Sequence, residues 1–223
     1  MSLLAIAHRA GNDLQALRTA VELGVDVLEA DVHLRAGRLE VRHSKHLRPL
    51  PVLWDRGAAG LELTGTSVPQ LELAAVLDAL DGSTAVMLDL KRPGRVGARV
   101  AELVHARAPG APVIACSRWW PGLEPLVALP WVRPVLTART PLELRRLLRR
   151  LEAGAPPYGV SLHRSLLAPA VVARLRERVE VVMTWGVNDP DVLAEVVDLG
   201  VNGVISDEAD VLRSVLARRS SAP

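Results

Sequence analysis

Short apolar runs alternate with amphipathic segments along the chain, and the alternation starts near the N-terminus. Residues 3–7 form a continuous apolar run, as expected of a strand that is buried on both faces. Residues 13–23 carry apolar side chains at helical spacing, including Leu14 and Leu17, and this pattern predicts a helix that ends at Gly24. A buried strand followed by an amphipathic helix is the repeating unit of α/β proteins.

The same unit recurs to the end of the chain. Further strands are predicted at residues 25–33, 85–90, 112–116, 132–137, 158–162, 179–184 and 203–205. Further helices are predicted at residues 71–80, 95–107, 122–128, 141–151, 168–176, 189–199 and 208–218. Eight strand–helix units predict an α/β protein with a (β/α)₈ TIM barrel, as a single domain over residues 1–223. A doubly wound open sheet is the second fold considered, although no glycine-rich nucleotide-binding motif follows the first strand.

Residues 34–68 interrupt the alternation and predict a short excursion from the barrel. A turn at residues 35–38 leads into an extended segment, residues 39–42, which ends at His43. Residues 49–68 are rich in Pro, Gly and Thr, and we expect them to form a loop across the barrel mouth.

Composition narrows the classes of function. The net charge is +2, and all 27 basic residues except Lys45 and Lys91 are arginine, which indicates a compositional bias rather than a nucleic-acid-binding face. Cys116 is the single cysteine, so an internal disulfide is excluded. No apolar run is long enough to span a bilayer, and the N-terminus lacks the basic region of a signal peptide. We therefore expect a cytoplasmic protein without a nucleic-acid partner; the sequence does not indicate an oligomeric state.

Ionisable side chains that could take part in catalysis lie at the ends of the predicted strands. Glu29 and Asp31 are two residues apart on a strand, so their side chains point to the same face. The pair Asp89 and Lys91 ends the next barrel strand in the same way. Because the active site of such a barrel lies at the carboxyl ends of the strands, these side chains should converge at one mouth.

Two histidines and one arginine join this set. His8 and Arg9 follow the first strand, and His43 ends the extended segment after the second. Carboxylates can hold a divalent cation, imidazoles can move protons, and a guanidinium can bind phosphoryl oxygens. The combination predicts hydrolysis of a phosphate ester.

Six blocks of the chain, in order, resemble the glycerophosphodiester phosphodiesterase family. The blocks are His8-Arg9-Ala10, Ala20-Val21-Glu22-Leu23-Gly24-Val25-Asp26, Glu29-Ala30-Asp31-Val32 with His43-Ser44, Asp89-Leu90-Lys91, Trp185-Gly186-Val187-Asn188 and Gly200-Val201-Asn202-Gly203-Val204-Ile205-Ser206-Asp207. The chain resembles a compact member of this phosphatidylinositol-phosphodiesterase-like group of barrels. Three departures stand out: a shortened loop after Arg9, Ser44 where the family has Asp, and Asp89 where it has Glu.

The resemblance implies a metal-dependent enzyme that releases an alcohol and glycerol 3-phosphate from glycerophosphodiesters, the deacylated phospholipids. It implies the following roles: His8 and His43 as the acid–base pair, Arg9, Lys91 and Trp185 as substrate-binding residues, and Glu29, Asp31 and Asp89 as ligands of one Mg²⁺ or Ca²⁺. Either water or a substrate hydroxyl is compatible with this set as the nucleophile.

Two other functions remain open at this point. A lysophospholipase D acting on lysolipids would use the same chemistry, and it alone would require contact with a membrane. A non-catalytic phosphate-binding barrel would be compatible with Ser44 and with the shorter Asp89. We exclude His33 from catalysis, although it shares the face of Asp31, and we expect Asp207 to cap the last helix or to bond backbone amides.

Overall fold

The structure is a computed structural model, and it describes residues 3–47, 49–57, 60–80 and 82–220. The strands are β1 (Leu4–Ala7), β2 (Val27–Arg35), β3 (Arg38–Val41), β4 (Lys45–His46), β5 (Val52–Gly57), β6 (Gly60–Gly65), β7 (Leu71–Glu72), β8 (Ala85–Leu90), β9 (Val113–Ser117), β10 (Val132–Ala138), β11 (Gly159–His163), β12 (Val181–Trp185) and β13 (Gly203–Ser206). The α-helices are α1 (Leu14–Leu23), α2 (Leu73–Asp78), α3 (Val96–Arg107), α4 (Glu124–Val127), α5 (Pro141–Ala153), α6 (Pro169–Arg176), α7 (Pro190–Asp198) and α8 (Ala209–Ser220).

Eight of these strands form a closed parallel barrel. Their order around the barrel is β1, β2, β8, β9, β10, β11, β12 and β13, and β13 pairs with β1 to close the sheet. Each barrel strand is followed by a helix, as the alternation of apolar runs and amphipathic segments predicts. The predicted TIM barrel in a single domain is confirmed, and the doubly wound alternative, whose sheet would be open, is wrong.

The helix ends follow from local sequence. Asp13 accepts hydrogen bonds from the backbone N–H groups of Gln15 and Ala16, at 2.8 and 2.9 Å, and so caps α1. Gly24 ends the same helix in the left-handed conformation, with φ of 80°. At α5, Thr140 and Glu143 form a capping box. These caps agree with the predicted start of α5 and with the predicted end of α1 at Gly24, whereas α5 runs two residues beyond its predicted end.

The barrel interior and the layer between barrel and helices are separate apolar clusters. Alternate residues along each strand point inward, and the inward set includes Val27, Met87 and Ile205. On β2 this inward face continues from Val27 through Glu29 and Asp31 towards the carboxyl end of the strand. The interior is therefore apolar below and charged at the mouth.

The segment between β2 and α2 differs from the prediction. β3 extends the barrel sheet as an antiparallel neighbour of β2, and β4, β5 and β6 form a separate three-stranded antiparallel sheet. The predicted loop at residues 49–68 is therefore wrong for β5 and β6, whereas Ala58 and Ala59 lie outside the described residues. We call β4, β5 and β6, with their connections, the excursion sheet.

Two physical features explain the wrong prediction. Pro, Gly and Thr residues in this segment resemble loop composition, but Leu53 and Trp54 lie in a strand in which Leu53 is buried and Trp54 is partly buried. The predicted helix at residues 71–80 also begins later, because Leu71 and Glu72 pair with β3. Among the described residues, no helix is both long and apolar enough to cross a bilayer.

Candidate active site

A cavity of about 930 Å³ opens at the carboxyl ends of the barrel strands. The lining residues that the sequence singles out come from several strands: His8, Arg9, Glu29, His43, Asp89, Lys91 and Trp185. These side chains therefore meet at one mouth of the barrel, as predicted. The volume of the cavity falls within the range of small-molecule sites.

Three carboxylates form a cluster at the base of this cavity. Glu29 and Asp31 point inward from β2, and Asp31 is in register with Asp89 on β8. One oxygen atom from each residue lies within 4.8 Å of one from each of the others. Glu29 is 3% exposed and Asp31 is fully buried. Burial and the neighbouring Asp31 charge raise the pKa of Glu29 well above its usual value.

Lys91 lies against the same cluster, and its ammonium group pairs with both Asp31 and Asp89. Burial alone would lower the pKa of Lys91, but the three carboxylates raise it above its ordinary value. Burial alone would raise the pKa of Asp31, yet the charge and hydrogen bond of Lys91 lower it. For Asp89, burial has the larger effect and the pKa is raised.

The carboxylate cluster fits a divalent cation. Its donors are all carboxylate oxygens, the ligands that Mg²⁺ and Ca²⁺ prefer. Ligand atoms about 2.3–2.6 Å from one Ca²⁺ ion lie at most about 5 Å apart, and the observed spacing stays within that limit. Lys91 carries one positive charge against three carboxylates, so a further positive charge in the cluster would be favourable. Asp89 reaches the cluster despite being shorter than Glu.

The short loop after β1 closes directly on β2. Asn12 donates from Nδ2 to Oδ2 of Asp31 at 2.9 Å and accepts from the Asp31 backbone N–H at 2.8 Å. A Cβ on Gly11 would lie 2.7 Å from the Ala30 side chain and 3.1 Å from the Glu29 carbonyl oxygen. Only glycine therefore permits this approach, which holds the loop against the carboxylate-bearing strand.

His8 is held by a carboxylate from the opposite end of the chain. Nδ1 of His8 lies 2.8 Å from Oδ1 of Asp207, which follows β13, the neighbour of β1 in the closed barrel. Asn188 Nδ2 donates to the other oxygen of Asp207 at 3.2 Å. The described contacts of the Asp207 carboxylate are with these two side chains, so its role in this structure is to hold His8.

His43 is held at both ring nitrogens. Nη2 of Arg9 contacts Nε2 of His43 at 2.8 Å, and Nδ1 of His43 lies 2.6 Å from Oδ1 of Asp55 on β5. Because a guanidinium can only donate, Nε2 must accept, and Nδ1 carries the proton and donates it to Asp55. Sequence reasoning missed Asp55, because it lies in the segment predicted to be a loop.

Arg9 links these parts of the site. Its backbone N–H donates to Oε2 of Glu29 at 2.7 Å, while its side chain reaches His43. Arg9 has a positive φ of 56°, a left-handed conformation that few non-glycine residues adopt. Its Nε is buried without a hydrogen-bond partner among the described residues. The guanidinium therefore keeps one donor for a bound ligand.

Trp185 forms part of the cavity wall, as predicted from the resemblance. The guanidinium of Arg139 lies 5.7 Å from its ring centre, and His163 meets the ring edge to face at 4.5 Å. His163 itself does not appear among the residues that line the cavity.

His33 lies in the cavity wall although the sequence analysis excludes it from catalysis. It is 9% exposed, and its Nε2 has no hydrogen-bond partner among the described residues. Burial and the positive charge of Arg42 lower the pKa of His33 to about 3. A neutral, buried imidazole is therefore one more polar group facing the cavity.

The chain was compared with protein-family models, with curated proteins and with solved structures. Residues 181–210 match the model of the Glycerophosphoryl diester phosphodiesterase family. A relative from Mycobacterium tuberculosis, named "Probable glycerophosphodiester phosphodiesterase 2", is 29% identical over 97% of this chain and 91% of its own length.

The solved structures agree on the fold. A glycerophosphodiester phosphodiesterase from Thermotoga maritima matches with a TM-score of 0.72 and 19% identity, covering 96% of this chain and 99% of that one. A phosphodiesterase from Oleispira antarctica, in complex with the product sn-glycerol-3-phosphate, matches with a TM-score of 0.74 and 18% identity, covering 96% and 97%. The resemblance to the glycerophosphodiester phosphodiesterase family that the six sequence blocks predict is confirmed.

Proposed function

We propose that the protein hydrolyses glycerophosphodiesters to an alcohol and glycerol 3-phosphate, with one bound divalent cation and with histidine acid–base catalysis. The observation that supports this most directly is the content of one cavity. It contains two histidines, His8 and His43, each held by its own carboxylate, beside a buried cluster of three further carboxylates. The reaction class, hydrolysis of a phosphoric diester, is that of the matched family and of the named relatives.

In this proposal Glu29, Asp31 and Asp89 hold the cation, Mg²⁺ or Ca²⁺. When bound, such a cation neutralises charge on the phosphoryl oxygens as the transition state forms. Asn12 orients Asp31, and the Arg9 backbone orients Glu29, so two of the three ligands are fixed before a cation arrives. Lys91 stays beside the cluster as a compact positive charge for the phosphate.

Arg9 binds the phosphate through the donor that has no partner in the free protein. Nη2 of Arg9 donates to Nε2 of His43 in the free protein, so this contact must open before Nε2 can take a proton from the nucleophile. The role of general base is assigned to His43 because its Nε2 is the acceptor atom in this contact.

Proton transfer then follows from the partners of each ring. Nε2 of His43 takes the proton of the attacking water, or of a substrate hydroxyl whose cyclic phosphate product is then opened by water to glycerol 3-phosphate. Asp55 accepts from the ring at Nδ1 while this happens. His8, held through Nδ1 by Asp207, donates a proton to the alcohol oxygen as its bond to phosphorus breaks. Trp185 provides an apolar wall for the substrate.

One assay tests this function. Glycerophosphoinositol is incubated with the protein in Mg²⁺, in Ca²⁺ and in EDTA, and the release of glycerol 3-phosphate is measured with a coupled enzyme. Turnover should require a cation and should be lost in EDTA. Cation-independent turnover would contradict the proposed ligand set. No turnover of any diester, with phosphate still bound, would identify a non-catalytic phosphate-binding barrel.

Hydrolysis of lysophospholipids is a second candidate, because apolar side chains surround the excursion sheet. Leu61 and Leu63 on β6 are 67% and 61% exposed, and Leu50 nearby is 53% exposed. If lysolipids are the substrates, activity should appear only above their critical micelle concentration and should fall in Leu61→Ser with Leu63→Ser. As the matched control, the double variant should hydrolyse glycerophosphoinositol at the wild-type rate.

We place the reaction in the cytoplasm, on a small-molecule diester and without a nucleic-acid partner. The near-neutral net charge and the single buried cysteine support this placement. We also propose that residues 1–223 act as one barrel domain, with the excursion at about residues 34–68 as part of its active site. Fractionation of the host cells with the native chain tests the location.

A further inference from the structure

Three consecutive barrel strands are each followed by an arginine that lines the cavity. Arg92 follows β8, Arg118 follows β9 and Arg139 follows β10. We call these three residues the strand-end arginines. Because neighbouring strands lie about 4.8 Å apart, the backbone positions of the three arginines span roughly 10 Å of the rim.

The cavity as a whole carries far more positive charge than the chain. Among the described residues that line it, eight are Lys or Arg and two are Glu or Asp, whereas the net charge of the chain is +2. Some of this charge is already balanced: Arg118 bonds to Glu143, and Arg35 and Arg42 share Glu40. Within the described part of the chain, Arg92 and Arg139 have no recorded ion pair. Two guanidinium groups at the rim are thus available.

His33 lies in the same cavity and adds a polar group to this side. It is on the inward face of β2, two residues beyond Asp31 and so closer to the mouth. Its Nε2 is buried and has no hydrogen-bond partner among the described residues. His33 lines the cavity, and a buried polar atom without a partner is a group that a bound ligand can satisfy.

The phosphodiester itself does not account for this charge. It bears one negative charge, which Arg9, Lys91 and a cation on the carboxylate cluster already meet. A cationic alcohol such as choline is a poor fit, because the Arg139 guanidinium already covers the Trp185 ring that would bind it. What remains is an excess of guanidinium groups, and these form paired hydrogen bonds with phosphate.

We infer that the alcohol of the diester carries a second phosphate group, which binds Arg92 and Arg139 at the rim with His33 beside them. This inference rests on the proposed function, since it specifies the substrate of the same site. The substrate class is then a glycerophosphodiester whose head group is itself phosphorylated.

A matched pair of substrates tests the inference. Glycerophosphoinositol and glycerophosphoinositol 4-phosphate differ only in the second phosphate. We expect kcat/KM to be about 10- to 100-fold higher for the phosphorylated substrate at low salt, the value of one or two charge-assisted hydrogen bonds. This preference should shrink as the salt concentration rises. Arg92→Gln and Arg139→Gln should each lower kcat/KM for the phosphorylated substrate more than for its partner.

Arg178→Gln is the matched control. Arg178 is an exposed arginine between α6 and β12, at the opposite end of the barrel, and it should leave the preference unchanged. Equal kcat/KM values for the two substrates, or a preference that survives in both rim variants, would overturn the inference.

A binding measurement separates this inference from the proposed function. The two compounds are titrated by calorimetry into His8→Ala in Mg²⁺, where turnover does not interfere. If neither compound is hydrolysed by the wild type, the proposed function fails. The ratio of the two Kd values still decides the inference: tighter binding of the phosphorylated compound supports it, and equal binding overturns it.

Discussion

The two histidines of the site are held by the same device, built in two different regions of the molecule. His8 and Asp207 follow β1 and β13, and their 2.8 Å contact exists because these strands meet when the barrel closes. His43 and Asp55 are only twelve residues apart, and their 2.6 Å contact belongs to the excursion sheet. One pair therefore depends on the whole fold, and the other on a small local sheet.

The second pair shows that the carboxylate partner of a histidine need not lie next to it in the chain. The family pattern places an Asp directly after the second histidine, and this chain has Ser44 there. The excursion sheet instead brings Asp55 to Nδ1 of His43. The excursion sheet has little buried surface to stabilise it, since β6 is exposed along its whole length. The His43 pair should thus be the easier of the two to disturb by changes in the surrounding structure.

Removal of either imidazole should have the largest effect. His8→Ala and His43→Ala should each lower kcat for glycerophosphoinositol by about 10²- to 10⁴-fold, the range of a lost proton-transfer group. The measurement is release of glycerol 3-phosphate at saturating substrate. His105→Ala is the control, because His105 stacks on Trp131 at 6.0 Å and does not line the cavity. A variant of His8 or His43 with the wild-type rate would remove that histidine from the mechanism.

Changes to the two carboxylates compare the pairs directly. Asp55→Asn and Asp207→Asn keep the shape of the side chain but weaken acceptance from the imidazole N–H, so each should lower kcat by roughly 10- to 100-fold with little change in KM. The pH profile of kcat should also shift, which a purely structural role would not produce. Asp78→Asn, which breaks a surface ion pair with Arg107, is the control. Full activity of Asp55→Asn would mean that His43 functions without this partner.

The parts of the site that lie on the barrel could be predicted from sequence. Period-two alternation places Glu29 beside Asp31 on one face, and the position of parallel strand ends brings Asp89 and Lys91 to the same mouth. His8 and Arg9 follow the first apolar run in the same way. These inferences need only the local pattern and the barrel rule.

The partners of these residues could not be predicted. Asp55 lies in a segment whose composition resembles a loop, so no strand register was available to aim it at His43. Asp207 precedes a helix, and its contact with His8 appears only when the barrel closes. The strand-end arginines were hidden by a composition in which nearly every basic residue is arginine. For Asp207 the missing information is long-range geometry, and for Asp55 it is the strand register of the excursion sheet.

A smaller effect should follow from disturbing the loop on the His8 side. In Gly11→Ala the added Cβ would lie 2.7 Å from the Ala30 side chain, so the loop or β2 must shift. We expect a loss of about 1–3 kcal/mol in the free energy of unfolding, measured by urea denaturation. Gly122→Ala, whose Cβ would meet Trp119 at an ordinary 3.6 Å, should lose less. Equal losses would show that the tight approach at Gly11 is not the cause.

The smallest effect concerns the pH dependence of the His8 pair. Burial alone would raise the pKa of Asp207, but the hydrogen bond and charge of His8 lower it below its ordinary value. A carboxylate with a lowered pKa stabilises the fold above the pKa it has when unfolded, and this stabilisation is lost as the pH falls through the folded value. Asp207→Asn should therefore be less stable than the wild type at pH 7, by less than about 1 kcal/mol because the pair is partly exposed.

The difference in the free energy of unfolding between the wild type and Asp207→Asn should disappear below about pH 4, where an Asp carboxyl ordinarily becomes protonated. Urea denaturation at pH 7, 5 and 3 measures it, with Asp78→Asn as the reference for a surface pair. A gap of the same size at all three pH values would mean that ionisation of Asp207 does not contribute to stability, and that Asp207 holds His8 only by its position after β13.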